Sequence, residues 1–293
     1  MVDRFYENKI YKLSNGTLNV TLDYFNKRLR IDEYLGDIQQ LNLKVDEILK
    51  LNTFEKIIWY IRKDHVERFI SKGYTLEAII TQYFNGSEAY IVTKYMTEQR
   101  RNSQHWVKED HIISDIANTT NFKTPLKLSP EFTIHRASEH DAEKLSHLYK
   151  DVFEIYPTPL NSKTYIKKII RENSIFYYIK KEDEIVSAAS ADVNYQYNNA
   201  ELTDCATLPS YRKHGFMKIL LQKLEKELIK QSIFYPYSIA RSLSYGMNSC
   251  FYQLGYKYSG RLVNNCYIFD KLEDMNVWVK DLTPSAENSA GDA

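Results

Sequence analysis

The chain reads as an α/β protein in two parts, and three observations carry that expectation. Strand-like and helix-like segments alternate along its 293 residues, with hairpin turns between them. "NTTNFKTPLKLSP", residues 118–130, has two prolines and no periodicity, and separates a smaller first part from a richer second one. A short motif also recurs. Phe69-x3-Gly73-Tyr74 and Phe251-x3-Gly255-Tyr256 each follow a strand and a helix and precede a hairpin, and Arg62 and Arg241 close the two preceding strands. A helix stopped by Gly and an aromatic is common, but the shared order of elements points to a duplicated half-domain.

Taken in order, "KIIWYI" is strand, the segment through Phe69 is helix, and the residues after Tyr74 form a hairpin turning at Asn85-Gly86. Asn15-Gly16 carries the same turn chemistry; both sites also match the glycosylation sequon, but read better as turns in a cytoplasmic chain. Beyond the linker, Phe132–Arg136 is strand. Residues 141–153 are helix, with Leu145, Leu148, Val152 and Phe153 at helical spacing, His140 or Glu139 upstream and no good cap. "SKTYIKKIIREN" is a second helix capped by Ser162 or Asn161, and "SIFYYIKKEDEIVSAASADV" a hairpin turning at residues 182–184. A strand over residues 200–208 leads through Pro209 into the basic turn Arg212, Lys213, His214, Gly215 and an amphipathic helix to residue 230. Strand 236–242, helix 246–254 and a hairpin over 256–280 complete the pattern. The expected boundaries are 1–120 for the first domain, 121–130 for the linker, 131–282 for the second domain and 283–293 for a frayed tail.

Composition narrows the function. Hydrophobic residues make up 43% and charged ones 26%, a globular balance, and the net charge of +1 gives no broad attraction to nucleic acid or anionic membrane. No apolar run is long enough to span a bilayer. Cys205, Cys250 and Cys266 have no CxxC spacing and read as buried thiols in a reducing compartment. His140 and His147 only roughly share a helical face, so no metal is expected. The basic turn has two readings at this level: a charged loop, or a pyrophosphate cradle at a helix N-terminus.

The order strand, two helices, hairpin, strand, basic glycine turn, helix, strand, helix, hairpin resembles that of the GNAT N-acetyltransferases over residues 132–282. "LTDCATLPSYRKHGFM" resembles their motif A, R-x-x-G-x-G/A, with Arg212-x-x-Gly215 in place and Met217 where a small residue is usual. "YPTPL", "AELTDCATLPSYR", "SIAR", "GMN", "NN" and "EDMNVWVK", in that order, resemble the β-lysine N-acetyltransferases within that family, a likeness that extends to "YFNGSEAYIVTKYM" in the first part. The resemblance implies a mixed, mostly antiparallel sheet flanked by helices, and the repeated Phe-x3-Gly-Tyr and hairpin, with nothing before them like Arg212-x-x-Gly215, predict a degenerate GNAT-like first half with no cofactor motif. That half is expected to cover the acceptor site or to pair subunits in a homodimer. The implied reaction is acetyl transfer from acetyl-CoA to the N6 amine of β-lysine, without a metal. A protein-lysine acetyltransferase and a non-catalytic acyl-CoA sensor are the alternatives.

The chemistry sets the residue types required. With a lysine-like pKa near 10.4, only about one amine in a few thousand is neutral at pH 7, a cost of about 4–5 kcal/mol. The site must therefore supply a proton acceptor, donors for the thioester oxygen and a proton for the thiolate. The resemblance places Glu201 at the general-base position; Asp204 competes, and in a regular strand the two face opposite sides unless a bulge intervenes. Cys205 as nucleophile is the weaker reading, since direct transfer needs no acyl-enzyme. By resemblance, the strand splays near Cys205 and Ala206, and Ala206, Thr207, Leu208, Arg212, Lys213, His214, Gly215, Phe216 and Met217 receive acetyl-CoA. The usual acid tyrosine falls on Phe251, which reads as core beside the cofactor, so either Tyr252, about 100° around the helix, supplies the proton, or the thiolate leaves unprotonated or takes a proton from water. For the acceptor, Arg241 could hold the carboxylate, Glu154 and Tyr156 could close over the site, and Asn264, Asn265 and Asn276 could accept from an ammonium.

Overall fold

A computed structural model describes residues 5–119, 127–269 and 271–284. The first half runs β1 (Tyr6–Leu13), β2 (Gly16–Asp23), β3 (Arg28–Gly36), α1 (Ile38–Leu51), β4 (Lys56–Ile61), α2 (Val66–Ile70), β5 (Thr75–Phe84), β6 (Ser87–Tyr95), α3 (Glu98–Arg101) and α4 (Trp106–Ala117). The second runs β7 (Phe132–Arg136), α5 (Ala142–Val152), α6 (Lys163–Glu172), β8 (Ser174–Lys181), β9 (Glu184–Asn194), β10 (Asn199–Thr207), α7 (Phe216–Lys230), β11 (Tyr235–Arg241), α8 (Tyr245–Gln253), β12 (Lys257–Ile268) and β13 (Lys271–Val279). Most of the expected linker (residues 120–126) and of the tail (residues 285–293) lies outside the described residues.

Local chemistry accounts for most of these elements. β4 is β-branched and aromatic and buried at every position, as a central strand covered on both faces requires. α1 starts at Asp37, whose carboxylate accepts from the backbone N–H of Gln39 and Gln40, and it buries Ile38, Leu41, Val45 and Ile48 along one stripe. Asn85 and Gly86, at φ of 49° and 108°, make the two-residue turn between β5 and β6. Ser162 caps α6 through the Tyr165 N–H. The turn leading into α5, expected to lack a cap, has one. Ser138 N–H and Oγ both donate to Asp141, a capping box legible as S-x-x-D.

All thirteen described strands join one sheet, in the order β1-β2-β3-β4-β6-β5-β12-β13-β11-β10-β9-β8-β7. Only β3·β4 and β10·β11 are parallel. The order β2-β3-β4-β6-β5 repeats as β9-β10-β11-β13-β12, with α1 and α7, and α2 and α8, at matching places. The repeat reaches single residues. β5 shifts register between Leu76 and Ala78 and again between Ile80 and Phe84; β12 does so 182 residues later, at Tyr258/Gly260 and Leu262/Cys266. Gln82 and Asn264, the same step apart, both have positive φ, 58° and 43°. The halves meet at equivalent residues, Ala78 of β5 pairing Gly260 of β12.

Four apolar clusters hold the molecule. One joins α7 and α8 to the second half of the sheet through Leu220, Leu221, Leu224, Phe251 and Trp278. Another packs α5 and α6 on the sheet through Leu145, Tyr149 and Ile166. A third packs α1 in the first half around Trp59 and Phe69. The fourth spans the halves through Tyr60, Ala78, Ile91, Tyr237, Leu262 and Val277. Buried polar groups add to that joint. The Lys56–Glu77 pair (2.9 Å) grips β12 as Lys56 Nζ donates to Val263 O (2.7 Å) and Val263 N–H donates to Glu77 (2.7 Å). Residues of β3 and β10, far apart in the strand order, line one cavity, so the sheet curls around it. No helix among the described residues is long and apolar enough to cross a membrane.

Candidate active site

The site begins where β10 and β11 part. They pair only from Asn199–Glu201 to Tyr235–Tyr237, and Ser238 Oγ takes up the Leu202 carbonyl (2.7 Å) where the ladder stops. On the other edge, β10 loses register with β9 between Thr203 and Ala206, and Asp204 sits at φ 51°. An aspartate tolerates that left-handed conformation better than most residues. This bulge re-aims the carboxylate. Glu201 and Asp204, which would face opposite ways in a regular strand, line one cavity.

Below the parting, β10 runs through Pro209 into the basic turn, and α7 starts after Gly215 (φ 76°) with no side chain on its first N–H groups. Those donors and the positive end of the helix dipole face a cleft of about 760 Å³ lined by Thr207, Arg212, Lys213, His214, Gly215, Phe216, Met217 and Phe251. Phe251 is wholly buried and forms the floor. The expectation for Ala206 and Leu208 is corrected: neither lines the cleft. Ala206 is buried, its carbonyl accepting from Ser187 Oγ (3.0 Å), and Leu208 packs toward the α5–α6 cluster.

A second cavity of about 820 Å³ lies on the other side of the bulge and is built by both halves. From the first half come Asp23, Arg28, Arg30, Asp32 and Tyr60; from the second come Asp192, Asn199, Glu201, Tyr237 and Asn265. Tyr156, Thr203, Asp204, Ile239, Ile268 and Met275 line both spaces and form the passage between them. Arg28 Nε pairs with Asp23 (2.7 Å) and Arg30 Nε with Asp32 (2.5 Å). Asp192, opposite Glu201 in the β9·β10 ladder, joins Glu201 and Asp204 as the acids without an arginine partner.

Their surroundings hold these acids toward the neutral form. Burial, then the Asp192 charge, pushes Glu201 up to about 7, with Arg30 opposing. Burial pushes Asp204 up to about 8; Asp192 and Glu201 add to this, while hydrogen bonds from Ser190 Oγ (2.8 Å) and Tyr156 OH (3.3 Å) oppose it. Both values bring a carboxyl group into the range where a proton acceptor works at neutral pH. Cys205 is different: burial raises its thiol well above the ordinary value, and Sγ is turned to the Thr203 carbonyl (3.5 Å). It is a neutral thiol in the cleft wall, and the nucleophile reading is withdrawn.

Other expectations also need correction. Tyr252 is turned out of the cleft by its 100° offset, and its hydroxyl donates to Ala117 O of α4 (3.2 Å). Glu154 is exposed and lines neither space. Arg241 faces the cleft at the start of α7, bound to the buried Glu273 (2.8 Å) and stacked on Phe269, because β11 has by then turned from β10 to β13. Asn264 is structural, its Nδ2 donating to Gln99 and Arg100 carbonyls. So is Asn276, which joins Ser242, Asn248 and Arg261. Tyr156 and Asn265 line the second cavity. Sequence reasoning missed Arg28, Arg30, Asp32 and Asp192. The alternation in "RLRID" puts the first three on one face of β3, but nothing local says what that face meets.

Residues 142–256 match the model of the acetyltransferase (GNAT) family. An N-acetyltransferase of Bacillus subtilis, YodP, is 39% identical over 279 residues, spanning 94% of this chain and 99% of the relative. A β-lysine N6-acetyltransferase of Methanosarcina mazei is 33% identical over 85% of this chain and 100% of its own. That of Methanococcus maripaludis is 33% identical over 93% and 98%.

Proposed function

This chain belongs to the acetyltransferase (GNAT) family and transfers acetyl groups, and from that premise we propose that its acceptor is the N6 amine of β-lysine (3,6-diaminohexanoate). The observation that carries this reading is the acceptor-side cavity: it has fixed charges of both signs and opens at Asp204 onto the cofactor-side cleft. Its acids outnumber its two arginines, which suits a ligand with two ammonium groups and one carboxylate. The relatives named for β-lysine match over 85% and 93% of this chain, far more than the second half alone.

The cosubstrate, acetyl-CoA, brings an acyl carbon activated as a thioester. Arg212, Lys213 and the uncapped N-terminus of α7 hold its pyrophosphate. The unpaired edges of β10 and β11 past Glu201 and Tyr237 present backbone donors to the pantetheine and the thioester oxygen. Asp204, at the passage, takes the proton of the attacking amine; the C–N bond forms, the C–S bond breaks, and water protonates the thiolate. Glu201 lies deeper and steadies the ammonium groups. The first half is not expected to hold acetyl-CoA: where α7 is open, α1 is closed by Asp37, and Tyr34 and Trp59 are buried edge to face in its core.

Incubation with acetyl-CoA and β-lysine, lysine or a lysine peptide, following thiol release and the product by NMR, tests this. Turnover of β-lysine with acetyl on N6 is expected. Turnover confined to the peptide, or acetyl on N3, overturns it.

A further inference from the structure

We infer that Arg30, supplied by the first half of the chain, is the carboxylate anchor of the acceptor, so that the duplicated half sets specificity for an amino acid over a simple diamine. This rests on the reading of the second cavity as the acceptor site.

Three observations carry it. The first is placement by the repeat. Arg30 of β3 pairs Ile58 in the parallel β3·β4 ladder, and Glu201 of β10 pairs Tyr237 in the parallel β10·β11 ladder; each lies two residues past the first pair. The duplication therefore sets a guanidinium and a carboxylate at equivalent positions facing one cavity. The second is spare bonding capacity. Arg28 is committed through Nε to Asp23 and through Nη1 to the Asn265 carbonyl (3.2 Å), and its side chain is 11% exposed. Arg30 gives only Nε to Asp32; no described residue takes a hydrogen bond from its Nη groups, and its side chain is 34% exposed. Two free Nη donors form a fork that fits one carboxylate. The third is Asn265, 4% exposed, whose Oδ1 has no partner among the described residues in the wall of the same cavity, beside Arg28. It can accept from the amine next to the anchored carboxylate.

The order of groups also fits. Arg30 acts electrostatically on Asp192 and Glu201, which pair across the β9·β10 ladder, and Asp204 lies three residues further along β10, at the passage to the cofactor-side cleft. In β-lysine the order is carboxylate, N3, N6. Anchoring at Arg30 leaves N3 to Asn265 and the inner acids and delivers N6 to Asp204.

The test compares wild type, Arg30→Gln and Arg30→Lys on β-lysine and on 1,4-diaminopentane, which keeps both amines and lacks the carboxylate. Arg30→Gln should lower kcat/KM for β-lysine roughly tenfold to a hundredfold, mostly through KM, and lower that for the diamine far less. Arg30→Lys should fall between. Acetyl-CoA affinity, measured by calorimetry, should not move. Equal losses on β-lysine and the diamine, or unchanged KM for β-lysine, overturn the anchor. If wild type ignores β-lysine, the substrate reading fails, and the anchor is then judged on lysine against 1,5-diaminopentane by the same criterion.

Discussion

Replacing Gly260 by alanine tests how the two halves close the acceptor cavity. Gly260 has φ 138°, a conformation that residues with a Cβ rarely adopt. A Cβ there would lie 2.3 Å from Glu77 O, 2.6 Å from Ala78 Cα and 2.7 Å from Ala78 Cβ. The clash is with the partner strand, not with a flexible side-chain end. β5 cannot easily retreat, since Glu77 is held by Lys56 (2.9 Å), Thr93 Oγ1 (2.6 Å) and Val263 N–H (2.7 Å). Backbone strain costs about 1–3 kcal/mol and overpacking about 1–3 kcal/mol, so Gly260→Ala should cost roughly 2–6 kcal/mol if β5 and β12 stay together. A denaturant melt reads that loss as a lower midpoint. In the folded fraction, KM for the acceptor should rise as the strands are forced apart, while acetyl-CoA affinity, set at α7, should hold within about twofold. A stability change under about 0.5 kcal/mol, the usual range of surface substitutions, would refute the close β5·β12 contact. Normal acceptor KM in a destabilised variant would refute its part in shaping the cavity.

Two further perturbations address the chemistry. Arg212→Ala removes a charge-assisted contact worth about 1.5–3 kcal/mol, so calorimetry should show acetyl-CoA binding weakened roughly tenfold to a hundredfold with acceptor KM little changed; unaltered binding would remove Arg212 from the cradle. The pH dependence of kcat/KM should rise through the range about 7 to 8 set by the raised Glu201 and Asp204 carboxyls, and continue to rise with the amine itself. Glu201 ionisation helps hold Asp204 up, so Glu201→Gln should move the Asp204 limb to lower pH, whereas Asp204→Asn should abolish that limb. An unchanged profile in Asp204→Asn would take it out of the base role.

What the sequence determined by itself was local. Period-two and 3.6-residue patterns, the Asn85-Gly86 turn, the Ser162 cap and the run from β10 through Pro209 to Gly215 each specify their geometry within a few residues, because turn, cap and amphipathic preferences depend on neighbours in the chain. The recurring Phe-x3-Gly-Tyr already pointed to a duplication. The basic turn that lines the cleft before α7 was legible for the same reason, since Arg212, Lys213, His214 and Gly215 are consecutive. Only the tertiary structure decided the acceptor side. Arg241 looked free to bind a carboxylate until β13 brought the buried Glu273 to it, and Tyr252 looked available until α4 offered the Ala117 carbonyl. Arg30 was one of two arginines on an unassigned strand until the curled sheet set it across a cavity from Glu201. The physical reason is that a strand's pattern tells which side chains share a face, whereas the charge or carbonyl that face meets comes from strands far away in sequence.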